Sequence, residues 1–264
     1  MFKFVYKYTK KGEPVLNWKG VLVATLTYPL YTFVFGRFIV APFFASMYRT
    51  QFPGEIDIEA FDLWWQANGT LLNASVYAIT SIFLLLFFGR FLFAVVRHAV
   101  KNFNWMIFLA VPIGYLIVMI VGTIVSLEMA KMGLLKSANQ EALESIVNYN
   151  KPLFLFTVIV MGPFVEEVIF RAAWFRPLWT KGWFAAIVAV ILNVALFGLH
   201  HVWGPIRDGA GLTELWFILA YMNGALATIY CHVVSRSFTS SLLMHMTINA
   251  VASMFMIYGY PALI

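Results

Sequence analysis

The sequence predicts an all-α, polytopic membrane helix bundle with about seven to eight transmembrane helices. The chain has 264 residues, of which 62 % are hydrophobic and 11 % charged, and its mean hydropathy is +0.82; average soluble domains carry roughly 25 % charged residues. Its apolar runs are continuous and about twenty residues long, the length of a membrane-spanning helix. They lack the alternation of a membrane β-barrel. Because no polar linker interrupts them, residues 1–264 are predicted to form one membrane domain.

The segment 1–19 is basic, and we expect it to be retained on the cytoplasmic side. It lacks the compact apolar core and small-residue cleavage site of a secretory signal, and lysines mark the cytoplasmic ends of membrane helices. The net charge of +6 is therefore attributed to topology and to acidic lipid headgroups, so the expected partner is the lipid bilayer and no nucleic acid. The lysines of this segment are Lys3, Lys7, Lys10, Lys11 and Lys19.

The first predicted span runs from about Gly20 to Tyr48, and Pro29 and Pro42 are expected to bend it. Arg37 lies in its middle and either snorkels to the interface or meets a partner in the bundle. The following acidic and aromatic segment, 50–73, predicts a non-cytoplasmic loop that carries an interfacial helix.

Six further spans are predicted after the first. Five of them follow from apolar runs alone, and the remaining one, the fourth span of the chain, opens at Pro152 and carries acidic residues. Between the third and fourth spans, residues 139–147 have apolar side chains three and four apart, which predicts an amphipathic surface helix across the mouth of the bundle. The other runs are Leu72 to Val96, Phe103 to Leu127, Trp183 to His201, Leu215 to Val234 and Phe238 to Tyr260.

Two adjacent acids, Glu166 and Glu167, stand out in the fourth span. A charge at bilayer depth costs at least about 2.5–3.5 kcal/mol, so such residues usually face a protein interior or a water-filled cavity and act there. Glu167 is one helical turn before Arg171, in the favourable order for an ion pair, which leaves Glu166 free for chemistry. The alternative is a purely structural ion-pair cluster. Since proline interrupts a helix, Pro163 is expected to start a new helix whose first turn would hold both acids.

Polar residues on two later helices complete the set of candidates. Asn193 and His201 share one face of the fifth helix, while His245 and Asn249 lie one turn apart on the seventh. The alternatives are a histidine at a helix end near the headgroups and ordinary interhelical hydrogen bonds. If every helix spans fully, His245 lies too shallow by about a third of a bilayer at 1.5 Å per residue. Either the helices are unequal and tilted, or the sixth does not cross fully.

The motifs Glu-Glu-x-x-x-Arg at 166–171, Phe-x-x-x-His at 197–201 and His-x-x-x-Asn at 245–249 resemble, in this order, the signature of the CPBP family. This family comprises CAAX prenyl endopeptidases and bacteriocin-processing or immunity proteins, also described as glutamic intramembrane proteases. The resemblance covers residues 152–251, which we interpret as the catalytic region.

The resemblance implies roles for four catalytic residues and no metal or other cofactor. Glu166 and His201 would activate a water molecule, and His245 and Asn249 would stabilise the oxyanion. These roles agree with the general chemistry of a carboxylate beside an imidazole and of hydrogen-bond donors around developing charge.

Five further residues are expected to support the site. The resemblance implies that Glu167 and Arg171 fix the helix and the local field, and Asn193 is a candidate for the surrounding hydrogen bonds. Phe197 sets the spacing of its motif. That spacing favours His201 over the adjacent His200 as the family histidine.

The predicted function is therefore hydrolysis of a peptide bond in a membrane-associated peptide or protein, either a prenylated C-terminus or a bacterial peptide precursor. The expected location is a bacterial plasma membrane, with the chain crossing it several times. Two alternatives remain: a non-catalytic immunity or scaffold protein of the same fold, and a zinc-dependent protease that uses Glu166, His201 and His245 as ligands.

Overall fold

The computed structural model describes residues 5–9 and 12–258. Three lysines of the predicted basic segment, Lys3, Lys10 and Lys11, lie outside the described residues, as does Tyr260 at the predicted end of the last span.

Seven helices of the described chain are long and apolar enough to cross a membrane, which confirms the predicted polytopic bundle. They are α1 (Trp18–Gln51), α3 (Gly69–Lys101), α4 (Met106–Lys131), α6 (Lys151–Trp179), α7 (Trp183–Ala210), α8 (Leu212–Ser235) and α9 (Phe238–Tyr258). The remaining elements are short: the strands β1 (Tyr6–Tyr8) and β2 (Pro14–Leu16) and the helices α2 (Ile58–Ala67) and α5 (Ala138–Ile146).

The helix α6 is the central element. In its most apolar window 56 % of the residues are buried, against 17–44 % in the other six helices. Its turn from Val168 to Phe175 is almost entirely buried and belongs to the main apolar cluster, to which α1, α3 and α7 also contribute. The acids predicted to carry function therefore lie on the helix with the least contact to the surroundings.

The N-terminal segment contains a β-hairpin, which the all-helical prediction did not include. Antiparallel β1 and β2 pair Tyr6 with Leu16, and Leu16 is buried in the main apolar cluster. Gly12 in the connecting turn has φ +76°, a conformation that favours glycine. The hairpin is fastened to the end of α6, because Arg176 Nη2 donates to Glu13 Oε2 at 2.9 Å.

The helix α1 is continuous through Pro29 and Pro42, so neither proline ends it. The stretch Leu30–Val40 has widened turns, in which backbone N–H groups bond to carbonyls five residues back, as from Ala41 to Gly36. The helix continues past both prolines, which flank these widened turns.

The prediction that a new helix starts at Pro163 is wrong. The helix α6 is continuous, and its widened turn Thr157–Met161 ends with the Gly162 N–H donating to the Thr157 carbonyl. Glu166 and Glu167 therefore lie well inside a helix, so the unpaired amides of a first turn do not stabilise them.

The depth problem of His245 is resolved by unequal helices. Arg176 Nη1 lies 2.9 Å from His232 Nε2 near the end of α8, and Arg176 lines one cavity of about 270 Å³ together with Ser235 and Phe238. The turn between α8 and α9 thus lies beside Arg176 and not beside the α6–α7 turn. If distances are counted along α6 from Arg176 and along α9 from its first residue, Glu166 and His245 lie at similar depths in the bundle.

The short helices and the ends of α7 complete the comparison with the sequence. The helix α5 confirms the predicted amphipathic surface helix, and α2 confirms the helix expected in segment 50–73. The helix α7 continues to Ala210 beyond its predicted end at His201. Arg37 is exposed and lines a cleft of about 460 Å³ together with Arg207 and Asp208 at the end of α7.

Candidate active site

Glu167 is completely buried and is the centre of a hydrogen-bonded cluster. Its Oε1 lies 3.4 Å from Arg171 Nε and 3.0 Å from His245 Nδ1. Its Oε2 accepts a hydrogen bond of 2.5 Å from Ser241 Oγ. The carboxylate therefore links one turn of α6 to α9, and it fixes the direction in which the His245 ring points.

Arg171 is also completely buried, and its partners explain why it is tolerated. Besides Glu167, both Nε and Nη2 donate to Thr228 Oγ1 on α8. Its Cζ lies 4.5 Å from the centre of the Phe197 ring, a cation–π contact. Removing one partner of such a buried pair leaves an uncompensated charge, so Glu167 and Arg171 depend on each other.

Glu166 faces a different direction and has looser contacts. Its Oε2 lies 3.6 Å from His245 Nε2 and 3.9 Å from His201 Nε2, and Tyr77 OH lies 3.4 Å from its Oε1. Glu166 as a whole residue is only 6 % exposed. Two hydrogen bonds of about 2.8 Å each can join atoms at these separations through one water molecule. The site can therefore hold a water between this carboxylate and an imidazole.

The ring of His201 is held from two sides. Its Nδ1 lies 2.9 Å from the Phe197 carbonyl oxygen; because a carbonyl only accepts, Nδ1 carries the proton. In the neutral imidazole the lone pair is then on Nε2, which faces Glu166. The Tyr221 ring stacks on the imidazole at 4.3 Å between ring centres and 20° between planes.

His200 points away from this carboxylate. Its Nδ1 lies 3.1 Å from Tyr28 OH, and its ring packs among the rings of Tyr28, Tyr31 and Phe170. Of the two adjacent histidines, His201 is therefore the one beside Glu166.

Asn249 is placed by a backbone carbonyl. Its Nδ2 donates to the Val158 carbonyl at 2.8 Å. In the widened turn of α6 this carbonyl would pair with the N–H of residue 163, five residues on, but Pro163 has none. The amide of Asn249 thus supplies the hydrogen-bond donor that Pro163 lacks. Within the described residues it makes no hydrogen bond to Glu166.

Asn193 has a comparable position on α7. Its Nδ2 donates to the Phe170 carbonyl at 2.5 Å and so ties α7 to the second widened turn of α6. Phe197, one turn further along, contacts both Arg171 and His245 with its ring. These two residues hold the site together without facing Glu166.

Four residues around the acids were not identified from the sequence: Tyr77, Tyr221, Thr228 and Ser241. Each is a neutral residue on a helix other than α6, and such residues are frequent in membrane helices. A one-turn spacing between Ser241 and His245 was the only available signal, and it was ambiguous.

Metal binding was tested on the same geometry. Within the described ranges, no three His, Cys, Asp or Glu side chains are arranged to hold a metal ion. Glu166, His201 and His245, on which the zinc alternative depends, converge on one carboxylate oxygen at 3.6 and 3.9 Å. A zinc ion would need ligand distances of about 2.0–2.2 Å, so these side chains would have to rearrange around it.

The comparison with protein families agrees with the resemblance seen in the motifs. Residues 148–251 match the family model "Rce1-like: Type II CAAX prenyl endopeptidase Rce1-like", and this segment contains all three motifs. No curated protein and no solved structure matches the chain. The family name denotes membrane-embedded proteases. The chain is therefore an integral, multi-pass membrane protein whose segment 148–251 is Rce1-like, as the resemblance to the CPBP family predicted.

Proposed function

We propose that this protein is a metal-free intramembrane endopeptidase that hydrolyses a peptide bond in a membrane-associated peptide or protein. The observation that carries the proposal is the position of Glu166, buried in the bundle with two histidine Nε2 atoms at 3.6 and 3.9 Å. The Rce1-like match of the same segment supports the reaction class.

In the proposed mechanism one water molecule lies between Glu166 Oε2 and His201 Nε2. Both atoms are acceptors, since the His201 proton is on Nδ1, so the water donates one hydrogen to each. Its lone pairs are then directed at the substrate carbonyl carbon. Glu166 takes a proton as the bond from water oxygen to carbon forms, which is general base catalysis.

His245 is the proposed donor to the oxyanion. Its Nδ1 lies 3.0 Å from Glu167 Oε1, and its Nε2 lies beside Glu166, where an N–H would point toward the oxyanion. A fixed donor in a dry site can be worth about 3–4 kcal/mol of transition-state stabilisation. Asn249 as a second donor stays a prediction from the resemblance, because its amide already serves the Val158 carbonyl.

Collapse of the tetrahedral intermediate completes the reaction. The C–N bond breaks, and the proton taken up by Glu166 is transferred to the departing amine. The water oxygen remains in the new carboxyl group, so the products are one free acid and one amine, and no group of the protein is consumed.

The substrate class follows from the setting of the site. A buried site among spanning helices suits a substrate that is itself held in the bilayer, either a prenylated C-terminus or a bacterial peptide precursor.

The charge distribution supports a cytoplasmic N-terminus. The end of the bundle that carries the hairpin is rich in basic residues, among them Arg97, Lys101, Lys181 and Arg236. The opposite end combines the acids Glu55, Asp57, Glu59 and Asp62 with basic residues such as Lys131 and Lys151.

The experiment that tests the function compares the membrane peptidome of cells that express the wild type or Glu166→Gln. Glutamine keeps the shape of the side chain and removes the base, so we expect loss of the processed peptides with a rate reduction of about 10²- to 10⁴-fold. Glu128→Gln is the matched control, because Glu128 is an exposed glutamate that pairs with the exposed Lys131.

Two outcomes would contradict the proposal. Unchanged processing by Glu166→Gln would remove the base from the mechanism. Survival of a protective or scaffolding effect in Glu166→Gln, with no peptide processed by the wild type, would favour the non-catalytic alternative.

A further inference from the structure

The surface helix α5 is fastened to α8 at its first residues. Ser137 Oγ lies 2.9 Å from Tyr221 OH, and Asn139 Nδ2 donates to the same hydroxyl at 3.1 Å. The Ala138 N–H donates to Glu214 Oε1 at 3.0 Å. Ser137 and Glu214 are 3 % and 6 % exposed, so this attachment is a buried contact and not a loose surface one.

The other end of α5 is also held. The Ile146 carbonyl accepts a hydrogen bond of 2.7 Å from Thr70 Oγ1 on α3. The helix α5 therefore bridges α3 and α8. A shift of its first residues can reach the rest of the bundle only through the side chains that these residues contact.

Tyr221 is the contact that reaches the site. Its hydroxyl is held by α5, while its ring lies parallel to His201 at 4.3 Å. Among the described residues, the hydrogen bond of His201 runs from Nδ1 to the Phe197 carbonyl, and this bond alone does not fix the plane of the ring. The Phe197 ring contacts the imidazole at 4.7 Å and 44°, whereas the nearly parallel Tyr221 ring covers one face, which limits rotation of Nε2 away from Glu166.

We propose that Tyr221 is a positioning residue for His201 and that the surface helix α5 sets its position through Ser137 and Asn139. This inference rests on the proposed function, since it assigns Tyr221 to the histidine that holds the water. Tyr221 itself touches neither Glu166 nor the reacting atoms; it acts through the ring on which it is stacked.

Two substitutions of Tyr221 separate its ring from its hydroxyl. Tyr221→Phe keeps the stack and loses both hydrogen bonds, and we expect kcat to fall about threefold to tenfold. Tyr221→Leu loses the stack as well, and we expect a fall of at least about tenfold. KM should change less than twofold in both, because the residue acts on the water and not on the substrate.

The helix α5 is tested with the double variant Ser137→Ala/Asn139→Ala. It removes both hydrogen bonds that Tyr221→Phe removes and also the cap bond from the Gln140 N–H to Ser137 Oγ. We therefore expect a loss of kcat at least as large as that of Tyr221→Phe, and adding Tyr221→Phe to the double variant should give no further loss. Tyr149→Phe is the control, because Tyr149 is an exposed tyrosine near the opposite end of α5.

The deciding measurement repeats Tyr221→Leu in the His201→Asn background, at enzyme concentrations that reveal residual hydrolysis. A residue that acts only through His201 has no further effect once the imidazole is gone. An equal loss in both backgrounds, or full kcat in Tyr221→Leu, would overturn the inference. Failure of the proposed function has a different signature, namely a His201→Asn variant as active as the wild type. If Tyr221→Leu does not fold, the Tyr221→Phe and Ser137/Asn139 variants decide.

Discussion

The substitution Glu167→Gln should destabilise the protein far more than Glu166→Gln, although the two residues are adjacent. Glu167 is completely buried and lies 3.4 Å from the completely buried Arg171. Replacing it with a neutral amide leaves this guanidinium without its counter-charge. Removing one partner of a buried pair costs about 3–5 kcal/mol, which corresponds to a fall in Tm of about 10 °C in a protein of this size. Among the described residues, the nearest ion-pair partner of Glu166 lies at 3.6 Å, so the Glu166 variant should lose less than about 3 °C.

The assay is thermal unfolding in detergent, followed by size-exclusion chromatography after heating. The double variant Glu167→Gln/Arg171→Met provides an internal control, because it removes the orphaned cation and fills the space with an apolar chain. It should recover most of the lost Tm. A Glu167→Gln variant that unfolds at the wild-type temperature would refute the reasoning, and so would a double variant that is less stable than Glu167→Gln alone.

Three further predictions follow from the site. Asn249→Ala should lower the free energy of unfolding by about 1–3 kcal/mol, because it leaves the Val158 carbonyl unpaired. Pro163→Ala in that background supplies a backbone N–H for this carbonyl and should restore part of the loss in unfolding measurements. No recovery would contradict the role of Asn249 as the donor to Val158. His200→Phe should keep activity within about threefold, while His201→Asn should lose at least about 10²-fold, so equal losses in a hydrolysis assay would contradict the assignment. Chelators should leave hydrolysis unchanged, and a loss that zinc restores would favour the zinc alternative.

The sequence was sufficient where an interaction lies within one helix. The four-residue spacing placed Glu167 beside Arg171, and the two side chains form an ion pair of 3.4 Å. The helical period determines such neighbours without any knowledge of packing. The apolar runs likewise defined the spans, because the length of a spanning helix is set by the bilayer.

The sequence was insufficient where the partner lies on another helix. Periodicity gives the face that Ser241 or Thr228 occupies, but not the residue that this face meets, so their bonds to Glu167 and Arg171 were not predictable. The same limit explains the error at Pro163. A proline predicts a broken helix because it has no backbone N–H to donate. Here a widened turn keeps the helix continuous, and the side-chain amide of Asn249, on the last helix of the bundle, donates to the carbonyl that the proline cannot serve.

The depth of His245 was left open for a related reason. The sequence offered unequal, tilted helices or an incomplete sixth span, and it could not decide between them. The contact between Arg176 and His232 and the cavity shared by Arg176, Ser235 and Phe238 place the α8–α9 turn beside Arg176, and no sequence spacing indicates these contacts.

The activated water is tested most directly by a single turnover in ¹⁸O-labelled water with enzyme in excess over substrate. The account predicts one ¹⁸O atom in the new carboxyl group of the product, no label in the peptide that contains Glu166, and no product from Glu166→Gln under the same conditions. Label in the Glu166 peptide with unlabelled first product would indicate attack by the carboxylate itself, and product formation by Glu166→Gln at the wild-type rate would show that this residue is not the base.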